Sequence, residues 1–322
     1  MSWINRGGAG SGFLQDVRVS LMLVIALSAC SRPSSERVVI GVPLLRISQP
    51  VFVAESLGLF KKHGVDVELK RFDTAQPLAD ELAAGRLDAA GYLALPILFS
   101  REGGPPPLRV VTAIVEDEGH PLSFLLVKVN SELHSVPELA GKEVGILPTL
   151  AYRRWLDALL QHHGVDPRTV TVAPLAPQLQ LEALAGGGID ALFTGDPMAT
   201  AGIARGLARP LKPGAEVPAA LGAPFFFGTF AVSEPLAMRR PQVVAALVAA
   251  LDEAIALIEA DAQVGRVALA SALREGDRAF VQKAPPTKYL ASGAVTVEAL
   301  EAALQRETSR PRGADVLWRA TP

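Results

Sequence analysis

Arg46, Ser48 and Gln49 place a guanidinium, a hydroxyl and an amide within four residues, immediately ahead of Pro50. Proline suits a first helical turn, so these donors stand beside a helix start. Thr149 stands likewise before an amphipathic stretch, Tyr152 to His162. There its hydroxyl can cap the helix, and the amide N–H groups beyond it can hold an anion. These groups bind and orient; they do not react. Residue patterns that would react are absent from the sequence. No Gly-x-Ser-x-Gly elbow occurs, and Gly186-Gly187-Gly188 lacks the Lys-Ser/Thr of a phosphate-cradling loop. The histidines are His63, His120, His134, His162 and His163, and none has the spacing of a zinc helix. His162 and His163 are adjacent, about 100° apart on a helix, a poor metal pair and a reasonable partner for a helix C-terminus. The expectation is a binding protein with no catalytic residue, no metal site and no cofactor.

The elements that would position these donors alternate between strand and helix. Glu143 to Leu147, Thr169 to Ala173 and Ile189 to Phe193 are short apolar runs suited to buried parallel strands. Amphipathic stretches separate them, the signature of βαβ units. In such sheets ligands sit outside the carboxyl ends of the strands. That rule selects six loops: Pro43 to Gln49, Tyr92 to Leu95, Glu116 to Ser123, Pro148 to Arg153, Thr194 to Met198 and Ala223 to Gly228. The candidate ligand-binding residues from them are Arg46, Gln49, Tyr92, Glu116, His120, Thr149, Tyr152, Thr194, Asp196 and Phe226. Tyr92 can stack on a ligand or pack in the core. Phe226 faces opposite to Phe225 and Phe227 in an alternating strand, so at least one of the three is core. Asp196 before Pro197 reads equally as a helix N-cap. Arg153 and Arg154 read as solvated helix charges.

Part of the pattern occurs twice. His63-Gly64-Val65-Asp66 leads to Gly85-Arg86-Leu87-Asp88-Ala89, and His163-Gly164-Val165-Asp166 leads to Gly188-Ile189-Asp190-Ala191. Two similar α/β units suggest two facing lobes. Leu139-Ala140-Gly141-Lys142-Glu143-Val144-Gly145, Gly164-Val165-Asp166, Ala183-Leu184 and Ile189-Asp190-Ala191 resemble the second lobe of periplasmic solute-binding proteins of ABC importers. The group resembled is the nitrate/sulfonate/taurine and thiamine-pyrimidine-precursor binding family. Ala54 to Val67, with its Gly58-Leu59-Phe60, is similar to the first lobe of that family. The likeness runs from about Val38 to Leu257. It implies a two-lobed α/β architecture of periplasmic-binding-protein type II, each lobe a mostly parallel sheet flanked by helices. Asp196-Pro197 matches a cleft position where the family commonly has Glu, and the shorter side chain puts direct ligand contact in question.

The chain of 322 residues is 49% hydrophobic and 20% charged, with a net charge of -2. No basic patch points to nucleic acid. Cys30 is the single cysteine, so no intramolecular disulfide can form. Val19 to Ala29 is an apolar run of about 11 residues, the length of a signal-peptide core and well short of a membrane span. It ends in Leu27-Ser28-Ala29-Cys30, similar to a bacterial lipobox with Cys30 as the lipidated residue. The expected organisation is residues 1–29 signal peptide, 30–36 lipidated tether, 37–118 first lobe, 119–229 second lobe, and 230–322 return to the first lobe with C-terminal helices. The function implied is a lipid-anchored, periplasmic or cell-surface solute-binding subunit of an ABC importer. A monomer, it would take a sulfonate, nitrate or pyrimidine-like heterocycle and deliver it to permease and ATPase subunits. The alternatives are an enzyme on the same fold, similar to those of menaquinone or thiamine-pyrimidine pathways, and a ligand-sensing receptor domain.

Overall fold

The computed structural model describes residues 37–99, 107–211, 216–273, 275–308 and 313–319. The proposed signal segment and Cys30 therefore lie outside the described residues. The first segment of chain alternates strand and helix: β1 (Val38–Pro43), α1 (Gln49–Ser56), α2 (Leu59–Lys62), β2 (Val67–Phe72), α3 (Ala75–Ala83), β3 (Ala89–Leu93), α4 (Leu95–Phe99) and β4 (Leu108–Glu116). The apolar residues from Val51 to His63 have helical spacing, but they form two helices, broken at Gly58. A 3-10 turn at Arg46–Ser48 carries the chain from β1 into α1.

The middle segment follows: β5 (Phe124–Lys128), β6 (Glu143–Ile146), α5 (Leu150–His162), β7 (Thr171–Pro174), α6 (Pro177–Gly186), β8 (Ala191–Thr194), α7 (Met198–Ala204), β9 (Ala208–Pro210) and α8 (Glu216–Leu221). Then come β10 (Phe225–Ser233), α9 (Glu234–Arg239), α10 (Pro241–Ala260), α11 (Ala262–Ala272), α12 (Glu275–Val281), β11 (Lys288–Leu290), α13 (Val297–Glu307) and α14 (Gly313–Val316). The short β9, β11 and α9 escape the sequence pattern because three to six residues are too few to display a period. No described helix is long and apolar enough to cross a membrane.

Two sheets result. The first has the order β11-β4-β10-β3-β1-β2 and the second β7-β6-β8-β5-β9. The α/β two-sheet architecture is as expected, but the sheets are mixed rather than mostly parallel. β1 runs parallel to β2 and β3, while β10 lies antiparallel to both β3 and β4. In the second sheet β6 is parallel to β7 and β8, and β5 is antiparallel to β8 and β9. The reason is connectivity: strands reached by crossing between sheets, β5 and β10, arrive from the opposite end. Phe225 pairs with Glu116, so the chain returns to the first sheet directly beside the place where it left.

The sequence repeat is a structural repeat. Val65 N–H bonds Phe60 O and Val165 N–H bonds Leu160 O, each at 2.8 Å, closing the helix before the strand. Gly64 and Gly164 sit at φ +82° and +74°, a left-handed conformation that other residues adopt at a cost. Asp88 accepts the N–H of Val39 at 2.9 Å, and Asp190 accepts that of Glu143 at 2.8 Å. Apolar burial follows the sheets. β1, β3 and β10 are buried on both faces, with α1 packed against α10 and α11. Phe124, Leu126, Leu181, Leu184, Ile189 and Leu192 form a smaller cluster under α6 and α7.

Candidate functional site: a cavity between the two sheets

A cavity of about 50 Å³ lies where the ends of strands from both sheets meet. From the first sheet it receives Leu45, Arg46 and Ile47 after β1, Asp73 and Thr74 after β2, and Tyr92 and Ala94 at the end of β3. From the second come Leu147 and Thr149 after β6, Tyr152 and Trp155 from α5, and Gly195 and Asp196 after β8. Leu122 of the crossover and Phe227 of β10 complete it, with Ala75, Ile97 and Ala151.

Aromatic rings form one side of this space. Tyr152 packs against Phe193 and Trp155 at centroid distances of 5.1 and 5.3 Å, and Trp155 against Phe227 at 4.8 Å. Tyr92 has φ +50° and donates or accepts one hydrogen bond with Thr112 at 3.0 Å. Left-handed backbone at a bulky residue is strained, and such strain gathers at functional positions. Burial raises the Tyr92 and Tyr152 hydroxyls well above the usual phenol range, so both are neutral donors.

Charge in the cavity centres on Arg46 and Asp196. The guanidinium Nε lies 2.9 Å from Asp196 Oδ2, an ion pair out of line for a good hydrogen bond. Both side chains are almost wholly buried. Arg46 also donates to Pro121 O at 2.6 Å and Pro285 O at 2.7 Å. Asp196 Oδ1 accepts from the N–H and hydroxyl of Thr200 at 2.9 and 2.6 Å. Asp196 thus ties down the start of α7 through Thr200 while facing Arg46 with its other oxygen; the cap residue itself is Pro197, one place later than the sequence reading put it.

Of the ten residues selected from sequence, Arg46, Tyr92, Thr149, Tyr152 and Asp196 line the cavity. The other five are placed elsewhere. The Gln49 amide oxygen accepts from Thr287 at 3.0 Å, and the side chain presses on Gly265 of α11. A residue on the first turn of α1 faces the helical layer, not the strand end. Glu116 is buried and accepts the N–H groups of Leu122 and Ser123 at 2.8 and 2.7 Å, plus the Ser123 hydroxyl, so it knits the crossover. Burial pushes its carboxyl up to about 7, against those bonds and the Arg46 charge. His120 bonds Asp117 at 2.7 Å within its own turn. Thr194 donates to Gln180 Oε1 at 2.7 Å and is consumed by α6 packing. Phe226 points away, and Phe227 reaches the cavity instead, because strand alternation puts Phe225 and Phe227 together against Trp155.

Trp155, Phe227, Asp73 and Thr74 were missed. Trp155 follows Tyr152 by three residues and so shares its helix face, a signal the sequence does carry. Its indole N–H donates to Glu307 Oε2 at 2.8 Å, and Arg154 donates to the Glu307 carbonyl at 2.7 Å. The end of α13 is thereby fixed to α5. Burial pushes the Glu307 carboxyl up to about 8. Among the described residues no cluster could hold a metal ion.

Residues 31–272 match the NMT1-like family. The chain belongs to that family. The alkanesulfonate-binding protein SsuA from Xanthomonas axonopodis pv. citri, solved bound to MOPS, is similar with a TM-score of 0.70 and 23% identity, covering 88% of this chain and 98% of that one. The periplasmic aliphatic sulphonate-binding SsuA of Escherichia coli has a TM-score of 0.70 and 20% identity, covering 89% and 94%. These likenesses establish the periplasmic-binding-protein fold. The nitrate import ATP-binding protein NrtC of Synechococcus elongatus is 27% identical over 164 residues, 46% of this chain and 24% of that protein. The match thus spans about a quarter of that relative's length.

Proposed function

We propose that this NMT1-like chain is the extracytoplasmic solute-binding subunit of an ABC importer, closing two lobes over one small molecule. The observation that carries the reading is a cavity lined by strand ends of both sheets. The names of the similar proteins support it: one is a nitrate import ATP-binding protein, and the others are named for binding alkanesulfonate or aliphatic sulphonate. The lobes of this proposal divide at the paired crossovers, after Glu116 and before Phe225, where adjacent chain segments can serve as a hinge. Asp196, the residue best placed to act as an acid or base, is held by Arg46 and Thr200, which favours binding without turnover.

A thermal screen of organic solutes tests the reading. A ligand at about 100 times its dissociation constant stabilises the fold by roughly 2.7 kcal/mol. Consumption of the hit, with product accumulating, would establish an enzyme instead. Anchoring through Cys30 belongs to the same proposal. A diacylated cysteine holds a protein to a membrane where one chain holds it only marginally. Cys30→Ala should move the protein to the soluble fraction or leave an uncleaved precursor, and unchanged fractionation after correct processing would refute the anchor.

A further inference from the structure

Within the solute-binding reading above, on which this step rests, a solute must first gain entry. The cavity holds about 50 Å³, whereas sites for small organic molecules measure about 300–1,000 Å³. Anything larger than a few waters therefore enters only when the strand ends of the two sheets move apart.

Arg46, after β1, and Asp196, after β8, meet with Nε 2.9 Å from Oδ2, and both side chains are almost wholly buried. Those two facing atoms have no hydrogen-bond partner. The rest of each residue is secured on its own side. Arg46 donates to Pro285 O at 2.7 Å, just ahead of β11 of the first sheet, and its carbonyl accepts the Tyr289 hydroxyl of β11 at 3.1 Å. A further donor goes to Pro121 O of the crossover at 2.6 Å. Asp196 Oδ1 stays with the N–H and hydroxyl of Thr200 on α7. Separation between Nε and Oδ2 thus breaks one contact and leaves each partner held by its own sheet's elements. The energetics suit a reversible tie. A buried pair gives up the hydration of both charges, and its attraction roughly offsets that cost. Parting into water restores the hydration, so the pair holds without welding.

A second contact closes the rim. α12 follows α11, which packs on α1 beside the first sheet. Phe280 of α12 nonetheless packs against the apolar cluster under α6 and α7 of the second sheet. The Arg205 guanidinium, at the end of α7, lies 4.6 Å from the centre of the Phe280 ring. Arg205 is exposed, and a cation over a ring is worth less at an exposed site than at a desolvated one.

We propose that the Arg46–Asp196 pair is a latch between the two sheets, backed at the rim by Phe280 and Arg205, which must part before a solute is admitted. It sets the balance between closed and open forms.

Small-angle X-ray scattering of the purified protein with no solute added tests the latch. The wild type should give a profile that matches the closed structure. Asp196→Asn keeps an oxygen for Thr200 but sets an uncharged amide against Arg46, and the guanidinium then recovers hydration only by opening. That variant should remain folded by circular dichroism and shift to a larger radius of gyration. Phe280→Ala should shift the radius in the same direction by less. Should Asp196→Asn fail to fold, Arg46→Lys replaces it: lysine keeps the charge but has a methylene where arginine has Nε, and the radius should again rise. A wild type that is already expanded overturns the latch. So does a folded Asp196→Asn or Arg46→Lys variant as compact as the wild type. A shift in Phe280→Ala as large as that of the pair variant overturns the pair as the main tie. None of these outcomes involves a solute, so the importer reading is left to its own screen.

Discussion

Trp155 lines the cavity with its ring and holds Glu307 with its N–H. The second Glu307 oxygen, Oε1, is buried without a hydrogen-bond partner. Trp155→Phe keeps most of the apolar surface and strips the remaining donor from a buried carboxyl. It should cost about 1–3 kcal/mol of stability, measured by urea unfolding. Glu307 and Glu116 also set a pH dependence. Both carboxyls are pushed above their ordinary 4.5, to about 8 and about 7 respectively, chiefly by burial. In that direction the folded state binds more protons than the unfolded one between 4.5 and these values. Their contribution is fully present below about pH 4.5 and is lost as pH rises through about 7 and 8. The melting temperature should therefore fall between pH 6 and pH 9, and Glu307→Gln should flatten the fall, as read by calorimetry. A melting temperature that rises across that interval would contradict the burial argument.

At the level of elements, the two repeated units invite a paired experiment. Asp88 and Asp190 each accept a strand N–H from the neighbouring strand, and the bonds have nearly equal length. Their surroundings differ: Asp88 is partly buried, Asp190 exposed. A hydrogen bond to a charged group contributes about 1.5–3 kcal/mol, and solvent exposure reduces it. Asp88→Ala should thus cost more than Asp190→Ala, with both losses visible as shifts of the denaturation midpoint. Equal losses would mean that the difference in exposure is immaterial at this bond.

At the scale of the whole molecule, Arg46 and Asp196 link the two sheets through one buried ion pair. Removing one partner of such a pair leaves an uncompensated charge and typically costs about 3–5 kcal/mol, while replacing both with apolar residues is often neutral. Arg46→Met should be strongly destabilising, and adding Asp196→Leu should restore most of the loss in urea unfolding. If the double variant is no more stable than the single one, the carbonyl bonds of Arg46 to Pro121 and Pro285 carry the effect.

Local chemistry made much of this protein readable from its residues. Gly64 and Gly164, the Asp88 and Asp190 turns and the long amphipathic α5 and α10 recur at periods that only one secondary structure satisfies. Strand ends followed by helix starts also pointed to Arg46, Tyr92, Thr149, Tyr152 and Asp196. What the sequence could not decide depends on contacts between distant segments. Gln49 turned toward Thr287, Thr194 toward Gln180, and Glu116 toward Ser123, because each polar group, once buried, must meet whatever partner packing brings near. Strand parity at Phe227 and the joining of Trp155 to Glu307, 152 residues away, likewise follow from how β10 and α13 seat against the rest. The sequence by itself determined most of the longer strands and helices, because their periods are local. Tertiary structure alone decided that Arg46, at the end of one strand, is already paired, because its partner Asp196 follows a strand of the other sheet.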